Sequence, residues 1–274
     1  MTSETSSSSR YQSAVVAKWL YAFACAPLLA LLFIPIFALT GRFSFEMLRE
    51  QLGNKSTLDA LRLSLITSSI TTTLAVFMGT PLAYFIARRR TRLSRILDVL
   101  IDLPIVFPPL IAGIALLLTF SPTGFLGRYL AEWGINLVFT RAAVVIAQLF
   151  VAAPFYIKTA SVGMSALGSE LKDAAIVDGA DWLQYLRYIA IPTALPAVFC
   201  GAALCFSRAL GEFGATIMFA GNMPGRTQTI TLAVYLGFES DLDQAITLSI
   251  ILLATSLSLL VMARVVMARF RPEI

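Results

Sequence analysis

The sequence predicts an all-α protein that is embedded in a membrane and crosses it about six times. Hydrophobic residues make up 58% of the 274 residues and charged residues only 14%, whereas soluble domains carry about 25% charged residues. The mean hydropathy is +0.80. Six apolar stretches also approach the roughly 20 residues that a helix needs to cross a bilayer. These three observations exclude a soluble globular fold.

The six predicted spans lie at about residues 18–40, 62–87, 99–120, 142–160, 194–219 and 245–267. Residues 1–17 form a Ser- and Thr-rich polar tail, which we predict to be disordered. The first span lacks a small-residue cleavage site, so we expect a retained helix and not a signal peptide. Residues 18–274 are therefore predicted to form a single transmembrane domain.

Polar and helix-breaking residues mark the second and third spans. The second span carries seven hydroxyl side chains, Ser64, Thr67, Ser68, Ser69, Thr71, Thr72 and Thr73. They indicate close helix packing or, alternatively, the wall of a hydrophilic pathway. Pro104, Pro108 and Pro109 predict a bend or break in the third span, because proline removes a backbone donor. Such a bend fits kinked packing or a channel lining.

An Arg–Glu pair marks the fifth span. Arg208 and Glu212 are four residues apart, which places them on one helix face. A lone charge at bilayer depth costs about 2.5–3.5 kcal/mol on insertion scales, so one interpretation is a structural ion pair. The other interpretation is that the pair faces a pathway and controls a gate. Gly211, Gly214 and Thr216 lie beside it as further candidates.

The distribution of basic residues predicts the orientation. With the N-terminus in the cytoplasm, 13 Lys and Arg residues lie inside and seven lie in exterior loops or at span edges. The positive-inside rule therefore places both termini in the cytoplasm. Five basic residues lie between Arg88 and Arg95, directly after the second span. The net charge of +5 is thus a topology signal; we expect membrane lipid and no nucleic acid as a partner.

Several chemistries are excluded by what the sequence lacks. It has no histidine, which removes the usual metal ligand and the usual base of nucleophilic catalysis. Cys25, Cys200 and Cys205 lie in apolar spans without a CxxC pair, which is typical of buried thiols. No G-x-x-x-x-G-K-[ST] run for binding ATP is present. We expect no catalytic residue, no metal site and no cofactor on this chain.

The loop before the fifth span, residues 161–192, carries the strongest motif. It contains DAAIVDGADWLQYLRYIAIP, from Asp173 to Pro192. This spacing resembles the cytoplasmic loop of binding-protein-dependent ABC importer permeases, whose pattern is EAA, three residues, G, nine residues, I, one residue, LP. Asp173 stands in place of Glu, and Ile191 in place of Leu. The resemblance implies a type I ABC importer permease fold in which this loop is the coupling helix that docks an ATPase.

The residue types of the loop suit docking. The alanines and the glycine keep one side small, so that a partner can approach closely. The aspartates can pair with basic residues or cap helix N–H groups, and Trp182 and Tyr185 supply larger anchors. An ordinary connector with a short surface helix is the alternative. The predicted docking residues are Asp173, Ala174, Ala175, Asp178, Gly179, Ala180, Asp181 and Trp182.

Three further segments resemble the molybdate and sulfate branch of these permeases. They are DLPIVFPPLIAGIALL at Asp102–Leu117, SRALGEFGATIMFAGN at Ser207–Asn222, and PGRTQT at Pro224–Thr229. The last is more similar to molybdate or tungstate members than to sulfate members. The resemblance therefore implies the transmembrane subunit of an ATP-driven importer for a tetrahedral oxyanion, with molybdate first and sulfate or tungstate as alternatives.

The resemblance also implies partners and a location. We expect a prokaryotic inner (plasma) membrane, a second copy of the chain, two ABC ATPase subunits that carry ATP and Mg²⁺, and an extracytoplasmic substrate-binding protein. That protein would meet the exterior loops near 41–60, 121–141 and 220–244. The chain itself would be a transport subunit and not an enzyme. An ion-coupled secondary transporter is the alternative from another class, but it should display inverted repeats, and no convincing repeat is evident.

Overall fold

The computed structural model describes residues 23, 25–88, 91–165 and 169–269, without the side chains of 169–172, 182, 186, 263, 264 and 266–269. The predicted polar tail, Arg89 and Arg90 lie outside the described residues. The described chain is helical and contains no strand. Its helices are α1 Cys25–Thr40, α2 Phe45–Gly53, α3 Lys55–Arg88, α4 Arg92–Val106, α5 Pro109–Phe120, α6 Gly127–Glu132, α7 Arg141–Ser165, α8 Ser169–Val177, α9 Trp182–Tyr185, α10 Ile191–Leu210, α11 Gly214–Ala220, α12 Ile230–Ser240 and α13 Leu242–Arg269.

The predicted all-α membrane fold is confirmed. Within the described residues, four continuous helical runs are long and apolar enough to cross a bilayer: α3, α7, Leu183–Leu210 and Leu242–Met262. Two bent pairs, α1 with α2 and α4 with α5, bring the number to six if each pair is one span. The second predicted span is longer than expected, because α3 extends over 34 residues.

The third span is broken by its prolines, as the sequence predicts. The axes of α4 and α5 differ by 108°. Phe107 and Pro108 between them are extended, with ψ of 128° and 130°. A residue before proline avoids the α region, and both Phe107 and Pro108 precede one. Pro109 then begins α5, where its missing N–H costs no hydrogen bond.

The predicted fifth span is wrong at its end. α10 stops at Leu210 and not near residue 219, and Gly211–Phe213 separate it from α11. Glu212 supports the new start, since its Oε1 accepts a hydrogen bond from the free Ala215 amide at 2.8 Å. The segment 220–244, predicted as an exterior loop, is not a simple loop. It contains the apolar helix α12, which packs on α13.

Two alanine-rich clusters form the core. The first joins α3, α7 and α10 around Tyr156, which is fully buried. Gly79 and Gly201 lie on either side of this ring, where an added Cβ would come within 2.9 and 3.1 Å of it. The second cluster joins α5, α7 and α11 around Phe219. Small residues let these helices approach closely, and the resulting bundle supports both regions described next.

Candidate coupling segment and helix break

The coupling segment, residues 169–190, is built around a left-handed turn. α8 ends at Val177, and Gly179 follows with φ of +82°. The Gly179 amide donates to the Ile176 carbonyl at 3.0 Å, and the Ala180 amide donates to the Ala175 carbonyl at 2.9 Å. This pair of bonds is a Schellman motif, in which glycine supplies the positive φ. Glycine is therefore required by the turn, while the space beside it is open.

The segment presents one face to solvent and one to the chain. Asp173, Ala174, Asp178, Gly179 and Asp181 are exposed. The opposite side forms a small buried cluster of Ala175, Tyr185 and Ala190, with Ala180 and Ile189 packed against it. The predictions for Ala175, Ala180 and Tyr185 need correction here: the two alanines face this cluster, and Tyr185, at 2% exposure, is no surface anchor. Trp182 begins α9, and its side chain lies outside the description.

Asp181 has a structural partner within the segment. Its Oδ1 accepts from the Gln184 amide at 2.7 Å, while the Gln184 Oε1 accepts from the Asp181 amide at 3.0 Å. This reciprocal pair is a capping box at the start of α9. A π-helical turn, Leu186–Ala190, then leads into α10, with Pro192 in its first turn. Pro192 therefore lies inside the continuous helical run Leu183–Leu210 and does not mark its start. α7 runs to Ser165, so the loop begins later than the predicted residue 161.

The helix break, residues 208–216, contains the predicted ion pair in a different geometry. An Nη atom of Arg208 lies 2.7 Å from Oε2 of Glu212, whose side chain is 1% exposed, against 29% for Arg208. The expectation of one shared helix face was wrong, because Glu212 lies beyond the end of α10. The Glu212 carboxylate thus neutralises the arginine with one oxygen and binds the Ala215 amide with the other.

Hydroxyl groups surround this break. The Thr231 hydroxyl donates to the Glu212 backbone carbonyl at 2.9 Å and pairs with the Thr229 hydroxyl at 2.9 Å. Thr216 is fully buried, and its hydroxyl has no hydrogen-bond partner among the described residues. The start of α12 therefore stabilises the break through these hydroxyl groups. In α11, the Thr216 hydroxyl is left without a hydrogen bond among the described residues.

The two glycines of the break have different surroundings. A Cβ on Gly214 would lie 2.8 Å from the Cβ of Pro109, so α11 touches the first turn of α5 there. In the same way, a Cβ added to Gly113 of α5 would lie 2.7 Å from the Cβ of Met218 on α11. Gly211 is exposed and meets only the Ser207 carbonyl, at 3.5 Å. α5 and α11 thus form one closely packed unit, whereas Gly211 lies at its edge.

The hydroxyl-rich second span divides into two faces. Ser64, Thr67, Ser68 and Thr71 are buried, while Ser69 and Thr73 are exposed. The Thr71 hydroxyl donates to the Gln148 amide oxygen of α7 at 3.1 Å, and the Ser64 hydroxyl accepts from the Ile230 amide at 2.8 Å. Helix packing thus accounts for the buried face.

One ionic cluster was missed by the sequence analysis. Lys158 of α7 lies 2.7 Å from Asp98 and 2.9 Å from Asp102, both on α4. The signal was available, since two carboxylates four residues apart share a helix face and Lys158 is the lone cation of the next span. The sequence analysis used Lys158 only as one of the interior basic residues and Asp102 only as the start of the segment Asp102–Leu117. The cluster fixes α4 on α7.

Basic residues gather at the end of the bundle opposite the coupling segment. Arg62 of α3 and Arg141 of α7 line an open cavity together with Asp59, Thr67 and Gly225. The Arg141 guanidinium donates to the Gly225 carbonyl at 3.1 Å and to that of Arg226 at 3.4 Å. These bonds leave both guanidinium charges without a carboxylate partner among the described residues. With two arginines against the single carboxylate of Asp59, the lining carries a net positive charge, and we call this cavity electropositive.

Three relatives and one solved structure resemble this chain over most of its length. The molybdenum transport system permease protein ModB of Mycobacterium tuberculosis is 38% identical over 239 residues, 87% of this chain and 90% of that protein. The probable transport system permease protein NifC of Clostridium pasteurianum is 36% identical over 235 residues, covering 85% and 82%. The sulfate transport system permease protein CysT of Salmonella typhimurium is 32% identical over 244 residues, 88% of each.

The solved structure shares the fold. It is a bacterial ABC transporter involved in the import of the acidic polysaccharide alginate, with a TM-score of 0.77 and 17% identity over 96% of this chain and 100% of that chain. The family model of binding-protein-dependent transport system inner membrane components matches residues 79–272. This match includes the coupling segment and the helix break. The chain therefore belongs to the family of binding-protein-dependent transport system inner membrane components, as a multi-pass membrane subunit.

Proposed function

We propose that this chain is the permease subunit of an ATP-driven importer whose substrate is molybdate. The observation that carries the substrate is the 38% identity over 239 residues to a permease named for molybdenum transport. The permease named for sulfate transport is 32% identical, so sulfate and tungstate are the competing tetrahedral oxyanions.

The proposed assembly contains two copies of this chain, two ABC ATPase subunits and an extracytoplasmic binding protein. The exposed face of the coupling segment, with Asp173, Ala174, Asp178, Gly179 and Asp181, docks the ATPase. Its carboxylates can pair with basic residues of that partner. ATP and Mg²⁺ bind to the ATPase, and both termini of this chain lie in the cytoplasm. The chain supplies the path and the docking surface but no catalytic group.

The electropositive cavity supports an anionic substrate. Arg62 and Arg141 lie at the end of the bundle that the proposed orientation places outside. The net positive charge of this lining raises the local concentration of an anion and its rate of arrival. A binding protein that releases molybdate at this end would therefore deliver it to an attractive potential.

The charges at the helix break fit a pathway that lets the oxyanion pass without binding it tightly. Arg208 is partly exposed, but its charge is offset by Glu212 at 2.7 Å. A free arginine at this depth would hold a dianion strongly, and a pathway that binds its ion strongly releases it slowly. We propose that Arg208 and Gly211, which are at least partly exposed, border the pathway, and that the buried Glu212, Gly214 and Thr216 belong to its gate, with α5 and α11 moving together.

Reconstitution tests the function and the substrate together. The chain is inserted into vesicles with its ATPase and binding protein, and ATP hydrolysis is measured with molybdate, tungstate or sulfate. We expect molybdate-loaded binding protein to stimulate hydrolysis and sulfate to leave it at the basal rate. Stimulation by sulfate alone would support the proposed importer but show that its substrate is sulfate and not molybdate. A correctly folded chain that assembles with no ATPase would contradict the coupling role.

A further inference from the structure

We propose that a contact between Arg88 and Tyr185 transmits movement of the coupling segment to α3, which makes both of them positioning residues for transport. This inference rests on the proposed docking of an ATPase to the segment. It concerns the buried side of the segment, which no docking partner touches. The contact joins two parts of the chain that are 97 residues apart.

The contact has a defined geometry. Arg88 is the last residue of α3, and its Nη2 donates a hydrogen bond to the Tyr185 hydroxyl. The Tyr185 ring is 2% exposed and belongs to one buried cluster with Ala175 of α8 and Ala190 of the π-helical turn. Because the ring packs in this cluster, we expect a displacement of α8 to move the hydroxyl group as well.

Arg88 has few other partners. Its guanidinium lies 5.8 Å from the centre of the Tyr84 ring, one turn earlier on the same helix. Its Nε is buried without a hydrogen-bond partner, and no carboxylate among the described residues forms an ion pair with it. The Tyr185 hydroxyl is therefore the one described side-chain group outside α3 that fixes the position of this cation.

α3 connects this contact to the helix break. Ser64 lies 24 residues from Arg88 on the same helix, a distance of about 36 Å at 1.5 Å per residue. The Ser64 hydroxyl accepts from the Ile230 amide at 2.8 Å. The next residue, Thr231, donates to the Glu212 carbonyl at 2.9 Å. A continuous series of contacts thus leads from the coupling segment through α3 to the proposed gate.

Replacing one hydroxyl group tests the link. Tyr185→Phe removes the acceptor for Arg88 and keeps the buried ring, while Tyr188→Phe is the matched control, since Tyr188 is 69% exposed on the same turn. The assembled transporter is reconstituted in vesicles, and the ATP hydrolysed per anion transported is measured. We expect Tyr185→Phe to retain ATPase association and basal hydrolysis but to raise this ratio about 3- to 30-fold, as expected for a coupling contact. Tyr188→Phe should leave the ratio unchanged.

A second variant provides an independent check. Arg88→Gln should raise the ratio as Tyr185→Phe does, and the double variant should raise it no further, because both changes remove the same contact. Arg88→Lys, which keeps a cationic donor, should restore part of the coupling. An unchanged ratio in both single variants would overturn the proposal, and so would loss of ATPase association in Tyr185→Phe. Failure of the proposed function itself would appear separately, as a wild-type chain that does not assemble.

Discussion

The coupling segment and the helix break use their polar groups in opposite ways. In the coupling segment, Asp173 and Asp178 are exposed, and no hydrogen bond or ion pair joins their side chains to the described residues. In the helix break, Glu212 is 1% exposed; its Oε1 accepts a hydrogen bond from the Ala215 amide, and its Oε2 forms an ion pair with Arg208 without a hydrogen bond among the described residues. The carboxylates of the coupling segment are therefore available to a partner, whereas the carboxylate of the helix break is already bound within the chain.

Because of this difference, substitutions in the two regions should affect different properties: partner binding in the coupling segment and the stability of the fold in the helix break. A substitution of Asp173 or Asp178 removes no hydrogen bond or ion pair among the described residues, so it should change partner binding. A substitution at Glu212 leaves a partly buried cation and a backbone amide without partners, so it should destabilise the fold before any transport is measured. The following four predictions test this contrast, beginning with the largest expected effect on the stability of the isolated chain.

Glu212→Ala should have the largest effect. Leaving a buried polar group without its partner costs about 1–3 kcal/mol and more for a charged group, and here the Arg208 cation, which is 29% exposed, and the Ala215 amide both lose theirs. Thermal unfolding of the purified chain in detergent measures the loss. The matched variant Glu212→Gln keeps an oxygen for the Ala215 amide and should lose less. Equal stability of wild type and Glu212→Ala would show that the pair contributes nothing to the fold.

A charge swap of this pair is expected to remain impaired. In Arg208→Glu/Glu212→Arg the ion pair could form again, but an arginine at position 212 cannot accept from the Ala215 amide. Loss of transport in the swap therefore does not by itself indicate a gate. Full stability of the swapped chain would show that the bond to the Ala215 amide is dispensable.

Gly214→Ala should have an intermediate effect, and Gly211→Ala should have almost none. The new methyl group at 214 would lie 2.8 Å from Pro109 and 3.1 Å from the Leu110 amide, whereas at 211 it meets nothing closer than 3.5 Å. Overpacking of this kind costs about 1–3 kcal/mol. Denaturation of the two variants side by side measures the difference. Equal losses at both positions would argue that α5 and α11 are not in close contact.

Gly179→Trp should change the association of the chain most, with a smaller loss of stability than Glu212→Ala. Gly179 has open space around it but a φ of +82°, which costs a residue with a Cβ about 1–2 kcal/mol. The bulky side chain would project from the proposed docking face, so we expect normal membrane insertion and lost co-purification of the ATPase. Gly179→Asn, which tolerates positive φ, should retain association. Normal co-purification of the Trp variant would count decisively against the docking role.

The sequence predicted the fold class and the place of both regions. Composition and span length required a helical membrane protein, because backbone polar groups in a bilayer must be satisfied within each helix. The Pro108–Pro109 break also followed from the sequence, since proline acts through its own covalent structure. Gly179 was located correctly, and the structure adds a left-handed turn with φ of +82° that favours glycine there, while close approach of a partner at this position stays a prediction.

Tertiary contacts decided the remaining features. α10 ends at Leu210, and the break that follows is stabilised by the Thr231 hydroxyl, 19 residues along the chain. Tyr185 faces inward because Arg88, 97 residues earlier, lies there to meet it. Lys158 and Asp98 form an ion pair because α7 packs on α4. By itself the sequence determines hydropathy, spacing and backbone propensity, which are local. Which side chains meet depends on how the helices pack, and this energy is shared among residues far apart in the chain.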